Sequence, residues 1–147
     1  MKIVRVINEL RQGGVHIRLG RVASDLVAMG HEVVIVCTLA EGENAAAIRE
    51  NGVRVEVVPV RKWSNWRDTL KLAWFLRKEK PDVVHSHLYR QNVPATRAAR
   101  LAGVPAIYAN VHLVGTYQNQ RWIDIDRRLA KKRTAMIAVS QAVADDI

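Results

Sequence analysis

The chain has 147 residues, of which 23 are Lys or Arg and 14 are Asp or Glu, and 49% of its residues are apolar. This composition excludes a disordered tail, a collagen-like repeat and a fibrous protein, because enough apolar side chains are present to build a core. The length suits one domain. The formal net charge of +9 indicates anionic partners such as phosphate-bearing substrates, anionic lipid or nucleic acid, without choosing among them.

The single cysteine and the lack of long apolar segments indicate where the protein is found. Cys37 has no second cysteine to pair with, so a disulfide framework is excluded and a reducing compartment is favoured. No stretch approaches the ~18 consecutive apolar residues of a membrane span. The opening segment 1–7 is too short and too charged for a signal peptide. We therefore expect a cytoplasmic protein.

Short β-branched runs alternate with longer helical patterns along the chain. The predicted strands are residues 3–7, 32–38, 53–58, 83–85, 106–110 and 135–139, and the predicted helices are residues 15–29, 45–50, 66–80, 93–102, 122–133 and 141–147. This order is typical of βαβ units, and it predicts an α/β domain with a Rossmann-like parallel sheet of about six strands covered by helices on both faces. Pro94 is placed in the first turn of the fourth helix. The last helix begins where the chain ends, which predicts that residues 1–147 are the front half of a larger protein.

Two glycines, Gly13 and Gly14, follow the first strand and precede the first helix. At this place in a parallel sheet, backbone N–H groups approach a bound phosphate closely, so the pair is a candidate anion site. The alternative is a tight turn that requires positive φ angles. A dinucleotide site is disfavoured because the G-x-G-x-x-G pattern and its acidic partner are missing, and a P-loop is excluded because its motif is absent.

Three histidines lie at strand ends that the topology makes neighbours. His85 and His87 close the fourth strand on one face, and His112 follows the fifth. A zinc site is conceivable from these residues, and the alternative is one core histidine with the others lining a polar crevice. His112 is the preferred functional residue, because a neutral imidazole there can hydrogen-bond a substrate and stabilise developing charge. No G-x-S-x-G elbow is present to anchor a hydrolase triad.

Basic residues are concentrated in two stretches, residues 61–80 and 127–133. In the first, tryptophans alternate with Lys and Arg, a pattern that fits an anionic membrane surface with indoles at headgroup level. The alternative is a solvated helix face with one buried Trp. Nucleic acid is disfavoured because no binding motif accompanies the charge.

The ordered set of motifs resembles the N-terminal, acceptor-side domain of a family 4 retaining glycosyltransferase with the two-domain GT-B fold. The resemblance covers essentially the whole chain. The matching pieces are residues 13–15 after the first strand, 29–33 leading into the second, 80–87 at the fourth, 102–105 before the fifth, 111–112 after it, and 138–140 at the end of the sixth.

The resemblance implies a role for individual residues. Gly13 and Gly14 would bind the donor diphosphate, and His112, the catalytic residue, would contact the transferred sugar. The acceptor would contact His16 and also Arg90 or Asn92. No metal or cofactor is implied, since the nucleotide sugar is a substrate. The donor nucleotide would bind mainly to a second domain with an E-x7-E motif, which is absent from residues 1–147, so we expect no transfer by this chain alone.

The implied activity is transfer of a hexose from a nucleotide sugar to a lipid-linked or glycan acceptor, with retention of anomeric configuration. Such a reaction fits the synthesis of cell-envelope polysaccharide or glycolipid, at the inner face of the cell membrane. The alternative is a non-catalytic sugar- or nucleotide-binding module of the same fold.

Overall fold

The computed structural model of the protein describes residues 1–62, 65–112 and 120–146. Its strands are β1 (Lys2–Ile7), β2 (Glu32–Cys37), β3 (Arg54–Val57), β4 (Val83–His87), β5 (Ala106–Val111) and β6 (Ala135–Ala138). They form one parallel sheet in the order β3-β2-β1-β4-β5-β6. The predicted Rossmann-like α/β fold is therefore confirmed.

The strands alternate with helices. These are α1 (Gly14–Ala28), α2 (Ala45–Glu50), α3 (Trp66–Glu79), α4 (Tyr89–Ala102), α5 (Gln120–Ala130) and α6 (Gln141–Asp146). One core cluster joins α1 and α2 to one face of the sheet, and a second joins α3 and α4 to the other. The central strands are apolar on both faces for this reason: Val4 and Val6 pack toward α3 and α4, while Ile7 and Ile35 pack toward α1 and α2.

Helix α4 begins at Tyr89, about one turn earlier than predicted, and β4 extends to His87 instead of ending at residue 85. The backbone N–H groups of Gln91 and Asn92 both donate to the carbonyl oxygen of Leu88, which fixes this start. Pro94 is consequently the sixth residue of the helix and lies inside it. This start of α4 could not be predicted from the sequence, because Leu88 is not a typical N-cap residue. Leu88 also has a φ of 70°, which non-glycine residues rarely adopt.

Helix α5 ends at Ala130, earlier than the predicted residue 133. Turn hydrogen bonds from the N–H groups of Lys132 and Arg133 to Leu129 and Ala130 end the helix. Among the described residues, no helix has the length and apolarity needed to cross a membrane.

Candidate functional site

A crevice lies at the carboxyl edge of the sheet, where the strand order reverses between β1 and β4. Parallel α/β sheets bind ligands at such a switch point because the loops after the two strands diverge there. The crevice has a volume of about 190 Å³. Its polar lining includes Asn8 after β1, Gln91 in the first turn of α4 and His112 after β5.

Three polar atoms of this lining have no hydrogen-bond partner in the described part of the chain, although each atom is buried. They are Oδ1 of Asn8, Oε1 of Gln91 and Nε2 of His112. Buried polar atoms in folded proteins nearly always have a partner, and exceptions are concentrated where a ligand or water binds. The crevice therefore has an unused donor and acceptor set suited to a polar ligand.

The three histidines predicted to be neighbours do lie together. The ring centroids of His85 and His87 are 4.3 Å apart, and those of His87 and His112 are 5.8 Å apart. Nε2 of His85 donates to Oδ1 of Asn110 at 2.7 Å. The zinc arrangement has no support here: within residues 1–62, 65–112 and 120–146, no three His, Cys, Asp or Glu side chains are grouped to hold a metal ion.

A buried arginine lies beneath the histidines. Arg5 on β1 is only 5% exposed, and its Nε and Nη2 donate to Nε2 of His87 at 3.3 and 3.1 Å. Its Nη1 donates to the carbonyl oxygen of Leu19 at 3.1 Å. Because Nε2 of His87 accepts these bonds, the imidazole of His87 is neutral and has its proton on Nδ1.

All three imidazoles have a lowered pKa. Burial lowers the pKa of His85 to about 4, and burial also lowers the pKa of His87, with further contributions from His85 and Arg5. For His112 burial is again the largest cause, followed by the positive charges of Arg18 and Arg5. The site therefore presents neutral imidazoles at pH 7.

The glycine pair at the start of α1 has neither a left-handed backbone nor a close neighbour at the Cβ position, the two features that usually require glycine. Gly13 has a φ of 163°, an extended conformation open to any residue, and Gly14 has no positive φ. The alternative of a tight turn with positive φ angles is therefore wrong. A Cβ at Gly13 would lie 3.4 Å from Cδ2 of His16, and a Cβ at Gly14 would meet no described atom within 4 Å. Open space beside Gly14 leaves room for a ligand to approach the backbone.

His16 lies in the first turn of α1 and lines a groove between α1 and α2. Its Nδ1 is buried and has no partner among the described residues. His16 is also among the groups that lower the pKa of His112, so the two side chains lie within electrostatic range of each other.

The two candidates from the β4–α4 region differ in exposure. Arg90 is exposed and lines the crevice. Asn92, in contrast, is 0% exposed: its Oδ1 accepts from Oγ of Ser86 at 2.7 Å, and its Nδ2 donates to the carbonyl oxygen of Asn110 at 3.0 Å. This geometry gives Asn92 a structural role in joining β4, β5 and α4, and it gives no support to direct contact with an acceptor.

Several residues of the site were not identified from the sequence. Asn8 and Gln91 belong to no recognisable motif, and Arg5 lies within an apolar strand. Leu88, which lines the crevice, has its strained φ of 70° between β4 and α4. Such strain is concentrated at functional sites, but only the backbone of the folded protein reveals it.

In the folded chain, the residues of the two basic stretches differ in their exposure to solvent. Trp66 and Trp74 are 67% and 68% exposed, so neither is the buried Trp of the solvated-face alternative; Trp63 lies outside the described residues. In the second stretch Arg127, Arg128, Lys131 and Lys132 are exposed. Arg133 is instead buried in an ion pair with Asp126.

Residues 13–147 match the glycosyl transferase 4-like domain, and the chain therefore belongs to that family. No curated protein matches the sequence. Among solved structures, the chain is similar to Anabaena HepE in complex with UDP and glucose, with a TM-score of 0.79 and 17% identity over 99% of this chain and 40% of HepE. It is also similar to Acinetobacter baumannii MurG, with a TM-score of 0.69 and 14% identity over 97% of this chain and 42% of MurG.

A third similar structure is the UDP-GlcNAc 2-epimerase from Methanocaldococcus jannaschii, with a TM-score of 0.58 and 12% identity over 99% of this chain and 41% of the epimerase. At these identities the likeness establishes the fold, which is one domain of the GT-B type. The chain spans about two fifths of the length of the structures it matches.

Proposed function

We propose that this chain is the acceptor-side half of a retaining hexosyltransferase that uses a nucleotide sugar as its donor. The observation that carries the proposal is the crevice at the β1–β4 switch point, where three buried polar atoms of Asn8, Gln91 and His112 have no partner within the described chain. Membership of the glycosyl transferase 4-like family supports the same class of reaction. HepE, the structure with UDP and glucose bound, supports a nucleotide-sugar donor.

The proposed reaction breaks the bond between the anomeric carbon and the donor diphosphate and forms a bond to an acceptor oxygen. The departing diphosphate takes the electron pair of the broken bond and develops negative charge, and one of its oxygens accepts the proton of the acceptor hydroxyl. The N–H groups at the start of α1, which have no side-chain cap, are suited to stabilise that charge beside Gly13 and Gly14. No metal or cofactor enters this scheme.

His112 is proposed to orient the transferred sugar. Its Nε2 is buried and has no partner in the described residues, and its lowered pKa keeps the ring neutral. A neutral imidazole can form a hydrogen bond with a sugar hydroxyl without adding a charge that would have to be desolvated.

The deciding experiment is to replace His112 in the complete enzyme that contains this domain. We expect His112→Ala to lower kcat on the order of 10²-fold, since one substrate-orienting hydrogen bond is lost. His31→Ala, a change at the amino end of β2, is the matched control. A wild-type kcat in His112→Ala would remove His112 from the mechanism, whereas turnover by residues 1–147 alone would contradict the two-domain scheme.

The role of the glycine pair has its own test. Gly14→Val should raise the Kd for UDP-glucose and leave Tm nearly unchanged, because the added side chain enters open space and not the protein core. A large fall in Tm together with the loss of affinity would favour a purely conformational role.

The second candidate function is a non-catalytic sugar- or nucleotide-binding module of the same fold, for which the unpartnered polar atoms of the crevice would equally serve as the ligand site. A module of this kind would bind its ligand and have no partner domain for transfer. The family resemblance predicts an E-x7-E motif in the donor-side domain. A parent reading frame without that motif would favour the binding module.

We further propose that the outer face of α3 holds the protein at an anionic membrane, which would place it at the inner face of the cell membrane. Trp66, Leu70 and Trp74 recur every four residues on this face and are 67%, 40% and 68% exposed. Nζ of Lys78 lies 5.7 Å from the ring centroid of Trp74. Basic residues on an anionic surface contribute about 1 kcal/mol each, and the exposed ones on this helix are Arg67, Lys71, Arg77 and Lys78.

Liposome co-sedimentation tests this membrane surface. We expect binding to anionic vesicles at low salt, weaker binding at high salt, and none to neutral vesicles. Replacing Trp66 and Trp74 with Ser should abolish the binding, while Leu101→Ser, at an exposed apolar residue of α4, should leave it unchanged. A protein that stays in the supernatant with anionic vesicles at low salt would favour an acceptor in solution.

A further inference from the structure

The crevice has a second lobe, with a volume of about 360 Å³. This outer lobe and the lobe at His112 share four lining residues, so they form a continuous site; the shared residues are Leu39, Tyr89, Arg90 and Gln91. The outer lobe differs in chemistry, because its lining adds two cations from the segment before α3 and one aromatic ring from α5. These are Arg61, Lys62 and Trp122.

The outer lobe is positively charged. Arg61, Lys62 and Arg90 line it, and no carboxylate is among the described lining residues. Asp68, which is near in sequence, is buried, and its Oδ2 accepts from the backbone N–H of Arg61 at 3.1 Å. Some other exposed cations do have a carboxylate partner, as Arg49 does with Glu41. The three cations of the lobe form no ion pair with any described carboxylate.

Two aromatic rings in contact form one wall of the lobe. The ring centroids of Tyr89 and Trp122 are 6.0 Å apart at an interplanar angle of 73°. Nε of Arg90 donates to the hydroxyl oxygen of Tyr89 at 3.1 Å, and Cζ of Arg90 lies 5.9 Å from the Tyr89 ring centroid. The guanidinium is therefore held beside the ring, with its remaining N–H groups available at the lobe. An ordered guanidinium loses less conformational entropy when it binds an anion.

From this arrangement we infer that the outer lobe binds a phosphate group of the acceptor, an inference that rests on the proposed transferase function. Two guanidinium groups and one ammonium group match the several oxygens of a phosphate or diphosphate, and charge-assisted hydrogen bonds of this kind are the strong ones. The aromatic wall suits the adjoining apolar part of the same molecule, either the face of a sugar ring or a prenyl chain. With its phosphate in this lobe, the acceptor extends toward His112 through the shared lining.

Direct binding to the purified chain tests the inference without requiring turnover. Isothermal titration would use inorganic phosphate, glucose 6-phosphate and farnesyl diphosphate, with glucose as the neutral reference. We expect phosphate and at least one phosphorylated compound to bind, and glucose to bind much more weakly. Tighter binding of glucose 6-phosphate would identify a sugar phosphate as the source of the group, and tighter binding of farnesyl diphosphate would identify a lipid diphosphate.

Variants separate this site from the general positive charge of the protein. Arg90→Gln and Lys62→Gln should each raise the Kd of the phosphorylated compound about tenfold, because each removes one charge-assisted contact. Arg90→Lys should recover part of the affinity. Arg100→Gln, an exposed site in the last turn of the same helix, is the matched control and should leave Kd unchanged. The exposed positions of Arg90 and Lys62 make unfolding an unimportant risk, and Tm measurements verify this.

The inference fails if none of the phosphorylated compounds binds up to about 10 mM, a range that covers even weak sites, or if Arg100→Gln weakens binding as much as Arg90→Gln does. Its failure is distinct from failure of the proposed function. If the complete enzyme transfers sugar but Arg90→Gln leaves phosphate binding unchanged, only the phosphate subsite is rejected. If phosphate binding depends on Arg90 but the complete protein transfers no sugar, only the transferase function is rejected.

Discussion

Two buried arginines in this domain have opposite environments. Arg133, before β6, donates through Nη1 to Oδ2 of Asp126 at 3.1 Å and through Nη2 to Oδ1 of the same carboxylate. Its Nε donates to Oγ1 of Thr96 at 2.8 Å. Arg5, in the middle of the sheet, has as partners a neutral imidazole and a backbone carbonyl, and no described carboxylate pairs with it. Burial lowers its pKa to about 10.

This difference separates a structural charge from a charge placed near the site. The charges of Arg133 and Asp126 cancel each other. Together with the bond from Arg133 to Thr96, the pair links α5 to α4 and to the start of β6. The positive charge of Arg5 is not cancelled in this way, so it lowers the pKa of His87 and of His112 at the crevice. A buried cation without a carboxylate costs stability, which is consistent with a role in keeping those imidazoles neutral.

The largest expected effect is on stability at the structural pair. Arg133→Met should lower the free energy of unfolding by about 3–5 kcal/mol, because it removes one member of a buried ion pair. Arg5→Met should cost only about 1–2 kcal/mol, since it leaves neutral hydrogen-bonding groups without a partner but also removes the cost of burying an uncancelled charge. Urea denaturation of both variants measures the contrast.

A double variant controls for simple loss of packing. Arg133→Met combined with Asp126→Leu should recover most of the lost stability, because both members of the buried ion pair are then replaced by apolar side chains. Equal costs for the Arg5 and Arg133 single variants would contradict the distinction between the two environments.

The pH dependence of stability is the next effect. The pKa of His85 is about 4 in the folded protein, below its ordinary value of about 6.5. Below pH 6.5 the unfolded chain therefore binds a proton that the folded chain does not, and stability falls as the pH is lowered toward 4. His87 acts in the same direction. Between pH 6.5 and about 5 we expect a loss of about 2 kcal/mol from His85.

Urea denaturation at pH 7.5 and at pH 5 measures this loss. His85→Gln, which removes the titrating ring, should make stability depend less on pH. An unchanged pH dependence in that variant would assign the effect to other groups.

Asn92 provides a smaller stability test close to the site. Asn92→Ala should lower the free energy of unfolding by about 1–3 kcal/mol, because it leaves Oγ of Ser86 and the carbonyl oxygen of Asn110 without this partner. Binding of the phosphorylated compounds should survive in molecules that remain folded. Loss of that binding at unchanged Tm would return Asn92 to the acceptor site predicted from sequence.

The smallest effect is a change in one pKa. Arg5→Met removes a positive charge that disfavours the imidazolium form, so the pKa of His112 should rise. NMR titration of the ring resonances measures this rise. Arg127→Met, on the exposed face of α5, is the matched control and should leave that pKa where it is. A pKa of His112 that does not respond to Arg5→Met would place Arg5 outside the electrostatics of the crevice.

Much of the fold and part of the site were predictable from local sequence. The β-branched runs identified all six strands, and parallel order then placed Gly13, Gly14, His87 and His112 at one edge of the sheet. Their proximity follows from the topology alone, since the carboxyl ends of parallel strands lie together at one edge of the sheet. The N-terminus of α4 was not predictable in this way, because Leu88 begins it without a capping side chain and with a strained backbone.

The sequence by itself determined the order of strands and helices, the burial of the sheet on both faces and the residue types at the strand ends, because periodicity and turn residues act over short distances. Only the tertiary structure decided what each polar side chain does. Arg5 meets His87 across 82 positions of the chain and Arg133 meets Thr96 across 37, and Asn92 turns inward to join β4 to β5. Whether a charge or an amide is exposed, paired or left for a ligand depends on partners that folding brings from distant segments, and no local pattern specifies them.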